Sequence, residues 1–429
     1  MAEQKVCVVG LGYAGLTLAV SLAGKGFKVW GYDKDAEKVE AINHFHSPFF
    51  EPGVSELLQK HLKHRLKVSA IFEQLPYDVI IIAVSTPVDP ETHRPITTYL
   101  QEAVREVAQG LLGEPLVIIR STASVGTTEN LLLPLLRKHK PRLPVAYAPE
   151  RTIQGQALHE LAELPQVIGG VDEKSLQQAQ TFFAKIAKQI VSVSSARVAE
   201  LVKLINNAHT DVIYSFGNEV AMLAEALRID PAEAIKAANM NYPRPQLHMP
   251  GFVGGSCMTK DPYLLLASAS NGYGTLLTAA RKLNESLAAY TIKKILSSLQ
   301  QAGVSIPGAK AVVLGIAYKG TPATDDLRGA QSIEIIAGLR QAGMHVYGHD
   351  PLVPASYISA LGAESIEYPE QVNDIDAIAF LTDHPVYKKL NLTKLLEKMK
   401  RPAVLFDAWR LFPRSVVESA GVTYQSIGV

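Results

Sequence analysis

The sequence predicts an α/β protein with two doubly wound domains, residues 1–196 and 301–429, joined by an all-helical central segment, 197–300. Over the first half of the chain, short apolar strands alternate with helical runs, the pattern of a parallel sheet covered on both faces. From Arg197 the apolar spacing turns helical, with no strand between the repeats. Near residue 301 the strand–helix alternation begins again.

Lys5 to Val9 is an apolar strand, followed by Gly10-Leu11-Gly12-Tyr13-Ala14-Gly15 and a helical run, Leu16 to Ala23. A second strand, Lys28 to Tyr32, ends at Asp33. Further strands are expected at Val79 to Val84, Leu116 to Arg120, Val145 to Ala148 and Gln166 to Gly169. Val198, Leu201, Val202, Ile205, Ala208, Val212, Phe216, Val220, Leu223 and Leu227 then recur at helical spacing, predicting one long helix broken at most once. A Pro- and Gly-rich loop runs from Asn241 to Pro262, and helical periodicity returns from Leu276 to about Leu299. In the tail, Ala311 to Ile316, His345 to Gly348, Ala377 to Leu381 and Ala403 to Phe406 read as strands, with a helix at Ser332 to Ala342. The two α/β halves are candidates for distant structural repeats, although their sequences do not show it plainly.

A chain of 429 residues suits two or three domains, and 47% hydrophobic residues is enough for real cores. Lys+Arg total 42 against 41 for Asp+Glu, a net charge of +1, so neither nucleic acid nor an anionic membrane is an expected partner. With only two cysteines, a disulfide framework is not expected, and a reducing, cytoplasmic setting is. The N-terminus leads straight into a strand without the pattern of a signal peptide. No apolar run reaches the roughly 18 residues needed to span a bilayer.

Gly10, Gly12 and Gly15 form G-x-G-x-x-G between a strand and a helix, the Rossmann-like arrangement for a dinucleotide. Gly10 permits the tight turn, Gly12 lets backbone approach the pyrophosphate, and Gly15 lets helix pack on strand. Tyr13 and Ala14 open the helix, whose free N–H groups face the phosphates. Asp33 would accept hydrogen bonds from the adenosine ribose and repel a 2′-phosphate, favouring NAD over NADP, with the adjacent Lys34 softening that preference. The plain alternative is a glycine-rich turn in a domain that binds no nucleotide.

The stretch Gly251-Phe252-Val253-Gly254-Gly255-Ser256-Cys257-Met258-Thr259-Lys260-Asp261-Pro262 carries the most chemistry. Its glycines let backbone curl around a ligand and leave Cys257 accessible, and a cationic neighbourhood lowers a thiol pKa. For Cys257 alone, a structural role is as good a reading. Beside a dinucleotide site, a cysteine nucleophile can trap an aldehyde and pass through a thioester to an acid. Cys7, among valines in the first strand, reads as a small buried hydrophobe.

Lys203 and Asn207 lie one helical turn apart and interrupt an apolar helix. Glu150, Thr86 and Thr122 each follow an apolar strand, where ligands meet open sheets. Seen singly, these three are more often turn or cap residues, and Lys203 could lie on a solvated stripe. Lys319 follows a strand in the last domain and could bind a phosphate, and Asp325-Asp326-x-Arg328 could be a helix entry with a surface pair; for both, the plain alternative is solvated loop charge. The histidines and cysteines show no metal-binding spacing, so no metal site is expected.

Together these segments resemble the UDP-glucose/GDP-mannose dehydrogenase family over nearly the whole chain. The resemblance rests on GLGYAG, Ser47-Pro48-Phe49-Phe50-Glu51-Pro52-Gly53, Ser85-Thr86-Pro87, RSTASVGTT from Arg120 and APER from Ala148. It continues through ELVKLINN from Glu200, GFVGGSCMTKDP from Gly251, LGIAYKGTPATDDLR from Leu314 and DAWR from Asp407. It implies an NAD domain, a dimerising helical linker and a C-terminal domain contributing to a UDP-sugar site. By resemblance, Cys257 is the nucleophile, and Lys203 and Asp261 serve proton transfer and oxyanion stabilisation at the sugar C6. Asn207 holds a water or the C6 oxygen, Glu150 positions or activates the hydrolytic water, and Thr122 sits near that water and the nicotinamide. Thr86 falls to the cofactor side, Arg328 to the cofactor or the domain interface, and Phe252, Gly254, Lys319 and Arg410 to the nucleotide-sugar. Arg244 looks like the arginine that, in some members, reaches the neighbouring subunit's substrate. A role in polysaccharide biosynthesis is what the family suggests.

Substrate signatures conflict. Ala148-Pro149-Glu150-Arg151 resembles members acting on 2-acetamido sugars such as UDP-N-acetylmannosamine, whereas Gly-Ser-Cys is common in glucose-type members; the lean is slightly to the hexosamine. The rivals are a single-step β-hydroxyacid-type dehydrogenase, which needs no cysteine, and a non-catalytic NAD-binding scaffold. The apolar stripe of the long helix, if left exposed, predicts a homodimer through the central helices; the alternative is that both α/β domains cover it.

Overall fold

Apolar β-branched runs such as Val79-Ile80-Ile81-Ile82 suit strands buried on both faces, and they form the centre of the first sheet. The computed structural model describes residues 3–138, 140–243, 246–269 and 274–429. The chain divides into two compact units: residues 1–207 with 260–273, and residues 208–259 with 274–429.

The first unit holds eight strands: β1 (Lys5–Val9), β2 (Lys28–Tyr32), β3 (Leu66–Ser69), β4 (Val79–Ile82), β5 (Leu116–Ile119), β6 (Val145–Tyr147), β7 (Gln166–Gly170) and β8 (Ile190–Val193). Their spatial order is β3-β2-β1-β4-β5-β6-β7-β8. Neighbours are parallel except β6 and β7, where Ala146 faces Gly170. The expectation of a parallel doubly wound sheet therefore holds with one antiparallel step. That step has a functional consequence. A parallel successor needs a crossover, but β7 starts where β6 ends, so residues 148–165 stay at the carboxyl edge. Strands β3 and β8 lack an apolar run and were not legible: Ser192 and Val191 of β8 face solvent, and Lys67 interrupts β3.

The second unit holds β9 (Lys310–Leu314), β10 (His345–His349), β11 (Glu364–Ser365), β12 (Ile375–Phe380), β13 (Met399–Asp407) and β14 (Thr423–Gln425). They form an all-parallel sheet in the order β11-β10-β9-β12-β13-β14. This repeats the first six strands of the first sheet, and the turns match too. Gly10, at φ +90°, donates to the Tyr32 carbonyl, and the Asp33 carboxylate accepts from Leu11 N. Gly315, at φ +88°, donates to the His349 carbonyl, and Asp350 accepts from Ile316 N and Ala317 N. The repeat suspected between the two halves is structural, carried by backbone geometry that different side chains can support.

The long helix spans Ala196–Ala226 without a break, contributing its first turns to the first unit and the rest to the second. Its apolar residues Val198, Leu201, Ile205, Phe216 and Leu223 are exposed, while Glu200, Lys203, Asp211, Ser215 and Asn218 are buried. A second long helix, Thr275–Gln301, belongs to the second unit, and its Leu287, Ala288, Ile295 and Leu299 join the core beneath β9 and β13. Among the described residues, no helix is long and apolar enough to cross a membrane.

Candidate active site

Helix α1 (Tyr13–Gly24) starts directly after β1. A side chain at Gly15 would place Cβ 1.8 Å from the Gly10 carbonyl oxygen, so only glycine lets helix and strand approach this closely. At Gly12 a Cβ would meet nothing within 4 Å, leaving open space over the uncapped N–H groups of α1. Asp33 closes β2, buried, with Oδ2 accepting from Leu11 N at 2.8 Å and Oδ1 from Asp35 N at 3.0 Å. These residues fit an NAD pyrophosphate and ribose. Lys34, expected to soften the preference for NAD, instead pairs with Glu102 at 3.3 Å and lies over Tyr99. Lys38, which sequence reasoning missed, reaches Asp33 at 2.9 Å from the next helix. Replacing Asp33 with Asn should remove a charge-assisted contact worth about 1.5–3 kcal/mol, roughly tenfold or more in kcat/KM for NAD+. It should raise relative use of NADP+; an unchanged NAD+/NADP+ ratio in steady-state rates would sink the ribose assignment.

Thr86 follows β4, is buried, and its hydroxyl donates to the Thr122 carbonyl. Both expected cofactor-side threonines thus meet at the carboxyl ends of β4 and β5. Glu150 lies beyond β6. Its Oε2 accepts from Arg120 Nη2 and, at 3.1 Å, from Nε, and its Oε1 accepts from the backbone N–H groups of Arg151 and Thr152 at 2.8 and 2.9 Å. Burial alone would raise its pKa. The Arg120 charge, the Thr152 N–H, the Arg120 hydrogen bonds and the Lys203 charge outweigh this and hold it below the ordinary carboxyl value. Arg120 is itself buried and also donates to the Ala148 carbonyl and to Gln166. Sequence reasoning noted it only as the end of a strand. An arginine closing an apolar run was the available signal.

Lys203 is buried on the long helix and forms no ion pair among the described residues. One turn on, Asn207 donates to Asp261 Oδ2, while Lys260 Nζ reaches Asp261 Oδ1 at 2.6 Å. Asp261 is fully buried at the start of the helix Asp261–Ala267. So Asn207 and Asp261 are brought together, and Lys260, the cation that the loop sequence places beside Asp261, joins them.

The cysteine loop belongs to the second unit as far as Thr259. Cys257 is exposed and unpaired in a disulfide. Gly255, at φ +87°, lies on the edge of the Tyr318 ring, where a Cβ would come within 2.7 Å. Gly254 has equally little room: its Cβ would be 2.5 Å from the Gly329 carbonyl oxygen. Phe252 packs on the hydrophobic core of this unit. The loop is tied at both ends by buried polar residues of the two long helices. Asn218 exchanges two hydrogen bonds with the Gly251 backbone, at 2.8 and 3.1 Å. Arg281 donates to the Met258 carbonyl at 3.1 Å and pairs with Asp211, both charges being almost fully buried. Asn284 joins the two ends, bonding Asn218 and Asp211. None of Asp211, Asn218, Arg281 and Asn284 was anticipated. Their signal was polar residues at helical spacing: Asp211 and Asn218 opposite the apolar stripe of the first long helix, and Arg281 and Asn284 in line with the buried Ala288 and Ile295 of the second.

Lys319 lies 5.4 Å from the Tyr318 ring centroid, and Arg328 is held by Asp326 through contacts of 2.6–3.1 Å. Their neighbours Tyr318 and Gly329 therefore form the wall behind Gly254 and Gly255. The DAWR segment meets the loop through Trp409, whose ring lies where a Gly251 Cβ would be. Arg410 instead pairs with Asp230 at 2.7 Å and borders a cavity of about 430 Å³ with Lys236, Arg414 and Tyr424. Arg244 lies outside the described residues.

The known proteins this chain is similar to agree with the geometry. Family models for the UDP-glucose/GDP-mannose dehydrogenases match in chain order: the NAD binding domain over residues 4–187, the central domain over 197–286 and the UDP binding domain over 312–414. The fold and its glycine loop define an NAD-dependent oxidoreductase. The UDP-N-acetyl-D-mannosamine dehydrogenase of Pyrococcus horikoshii is 35% identical over 409 residues, 94% of each chain. A solved structure of a UDP-D-ManNAc dehydrogenase from the same organism matches with a TM-score of 0.89 at 34% identity, covering 99% of both chains. A solved UDP-glucose dehydrogenase from Pyrobaculum islandicum gives 0.85 at 28% identity, covering 99% of this chain and 98% of that one. The chain belongs to the UDP-glucose/GDP-mannose dehydrogenase family. It is an NAD-dependent nucleotide-sugar 6-dehydrogenase, and its substrate is a UDP-sugar.

Proposed function

We propose that this chain oxidises the C6 alcohol of UDP-N-acetylmannosamine, or a related UDP-N-acetylhexosamine, twice, and releases the uronic acid from a thioester on Cys257. The observation that carries the chemistry is an exposed cysteine on a loop anchored at both ends by buried polar residues. The sugar assignment is supported by the Pro149-Glu150-Arg151 segment, with UDP-N-acetyl-D-mannosamine dehydrogenases among the similar proteins. Gly10, Gly12, Gly15 and Asp33 would hold NAD+, which would supply the hydride acceptor for each oxidation at C6.

In the first step the C6 hydroxyl loses a proton, with Lys203 as the group that accepts or relays it and Asn207 and Asp261 orienting the C6 oxygen. The Cys257 thiolate then adds to the aldehyde carbon, and the resulting alkoxide is stabilised by the Lys203 cation. Oxidation of this thiohemiacetal leaves a thioester. Water attacks its carbonyl carbon, the C–S bond breaks, and the thiolate of Cys257 is regenerated with the free acid. Glu150, held as an anion, orients that water together with Thr122. Thr86 and Arg328 serve the cofactor; Phe252, Gly254, Lys319 and Arg410 serve the nucleotide-sugar, and Arg244 a neighbouring copy's substrate. The working division remains 1–196 for NAD, 197–300 for the helical and cysteine-loop segment and 301–429 for the UDP-sugar. The setting is cytoplasmic, in polysaccharide biosynthesis.

The deciding experiment counts NADH per sugar with a panel of UDP-hexoses and UDP-N-acetylhexosamines. Two NADH and a carboxylate, with UDP-N-acetylmannosamine preferred, is the expected result. One NADH with a ketone product would overturn the thioester route, and preference for UDP-glucose would overturn the sugar assignment.

Arg120 sets a pH dependence. A carboxyl with a depressed pKa stays ionised, and its pair with Arg120 stabilises the fold, above the ordinary carboxyl value; that contribution is lost as pH falls. Arg120→Met removes the largest influence opposing burial, leaving the Thr152 N–H and the Lys203 charge, and raises the Glu150 pKa. The acidic limb of kcat/KM should then move to higher pH, and less so in Arg120→Lys. An unmoved limb in both variants would show that ionised Glu150 is not required.

The exposed apolar face of the long helix supports a homodimer through the central helices. Light scattering at micromolar concentration should give a dimer mass, and Phe216→Glu should shift it towards monomer. A monomeric wild type would refute the assignment.

A further inference from the structure

Glu51 belongs to a motif, Ser47 to Gly53, that the proposed chemistry leaves without a role. It is buried in the first unit, and every partner described for it lies elsewhere in the chain. Its Oε2 accepts from the Tyr13 hydroxyl and from Gly155 N at 2.6 Å; its Oε1 accepts from Ala157 N at 2.8 Å. The Gly155 N–H also reaches the Tyr13 hydroxyl oxygen at 3.2 Å. One carboxyl group thus joins two ligand loops. Tyr13 is the first residue of α1, beside the open space that suits the pyrophosphate. Residues 155–157 end the loop that starts at Glu150, and Arg151 N and Thr152 N bind the Glu150 carboxylate at its other end. Phe49 packs against the Tyr13 ring with centroids 4.9 Å apart, so the same motif also holds the ring.

We propose that Glu51 is a positioning residue that couples the dinucleotide loop to the sugar-side loop, so that binding of the nucleotide-sugar tightens binding of the cofactor. The inference rests on the reading that the loop beginning at Glu150 faces the sugar. Sugar engaging Glu150 orders residues 150–157. The ordered Gly155 and Ala157 N–H groups fix the Glu51 carboxyl, and Glu51 holds Tyr13 in place at the phosphate end of α1. By linkage, cofactor binding tightens the sugar-nucleotide by the same factor.

Two variants break the link at different points. In Glu51→Gln, whichever way the amide sits, its NH2 faces an N–H group of Gly155 or Ala157, and that strut is lost. In Tyr13→Phe the loop stays tied to Glu51, but α1 is released from it. NADH, which cannot support oxidation of the sugar, is titrated by fluorescence alone, with UDP, and with UDP-N-acetylmannosamine. In the wild type the sugar-nucleotide should tighten NADH by at least ~5-fold, the low end of ordinary coupling between sites, and by more than UDP does. In both variants the ratio should fall below about twofold. A purely structural role would weaken both ligands and lower the melting temperature while leaving the ratio intact. The proposal is overturned by a wild type without coupling or by variants that keep the wild-type ratio. Calorimetry separates the two readings. If UDP-N-acetylmannosamine does not bind, the sugar assignment has failed, and UDP-glucose in the same titrations still decides the role of Glu51.

Discussion

Cys257→Ser should lower uronic acid formation by at least ~10³-fold while leaving NAD+ affinity within about twofold. An alcohol side chain of ordinary pKa is a far weaker nucleophile towards an aldehyde than a thiolate, and its ester is a poorer intermediate for rapid hydrolysis. The loop supports this use of the cysteine. Gly254 and Gly255 lie against Gly329 and Tyr318 with no room for a Cβ, which fixes the backbone, while the Cys257 side chain stays accessible. The proposed NAD+ contacts, at the start of α1 and at Asp33, do not involve Cys257, so cofactor binding should survive. The measurement is acid produced per enzyme over time, with cofactor affinity determined separately. A serine variant that still delivers two NADH per sugar at a tenth of the wild-type rate would remove Cys257 from the covalent role.

Arg281→Met should cost about 3–5 kcal/mol in stability, because it leaves Asp211 buried without its partner. Burial already pushes the Asp211 pKa above the ordinary value, with the Arg281 charge as the first opposing influence. Activity should fall as well, since the Met258 carbonyl, next to Cys257 in the chain, loses the Arg281 donor. Stability and activity can be separated. Asp211→Leu combined with Arg281→Met removes both buried charges, and such apolar replacements are often neutral or stabilising. The double variant should recover much of the melting temperature and still turn over at least ~10-fold more slowly than the wild type, about 1.4 kcal/mol at the transition state. Recovery of full activity along with stability would show that the pair serves the fold alone and not the loop.

How much of this was legible before the structure depends on the distance over which each signal acts. Gly10, Gly12, Gly15 and Asp33 were readable because a turn, a helix start and a strand end are local, and each glycine answers a steric demand of its own loop. Cys257 was readable for the same reason, as the accessible end of a glycine-rich stretch. The long helix was readable in its period but not in its orientation. Spacing shows that Val198, Leu201, Ile205 and Phe216 share a face, yet the structure leaves that face exposed and buries Glu200, Asp211 and Asn218 instead. The buried side is polar because it holds backbone groups of two loops: Glu200 caps Gly126 and Thr128, and Asn218 caps Gly251.

Alternating strands and helices, the dinucleotide turn and the glycine-rich cysteine loop are thus written in residues close together along the chain, where period and conformational preference act. Partners are not. Gly155 is 104 positions from Glu51, and Arg281 is 70 from Asp211, so which donor meets which carboxylate is settled only when distant segments pack. The antiparallel β7, the inverted faces of the long helix and the buried network behind Cys257 share that origin. Burial and hydrogen-bond pairing depend on what lies opposite a residue in space, and no local pattern records it.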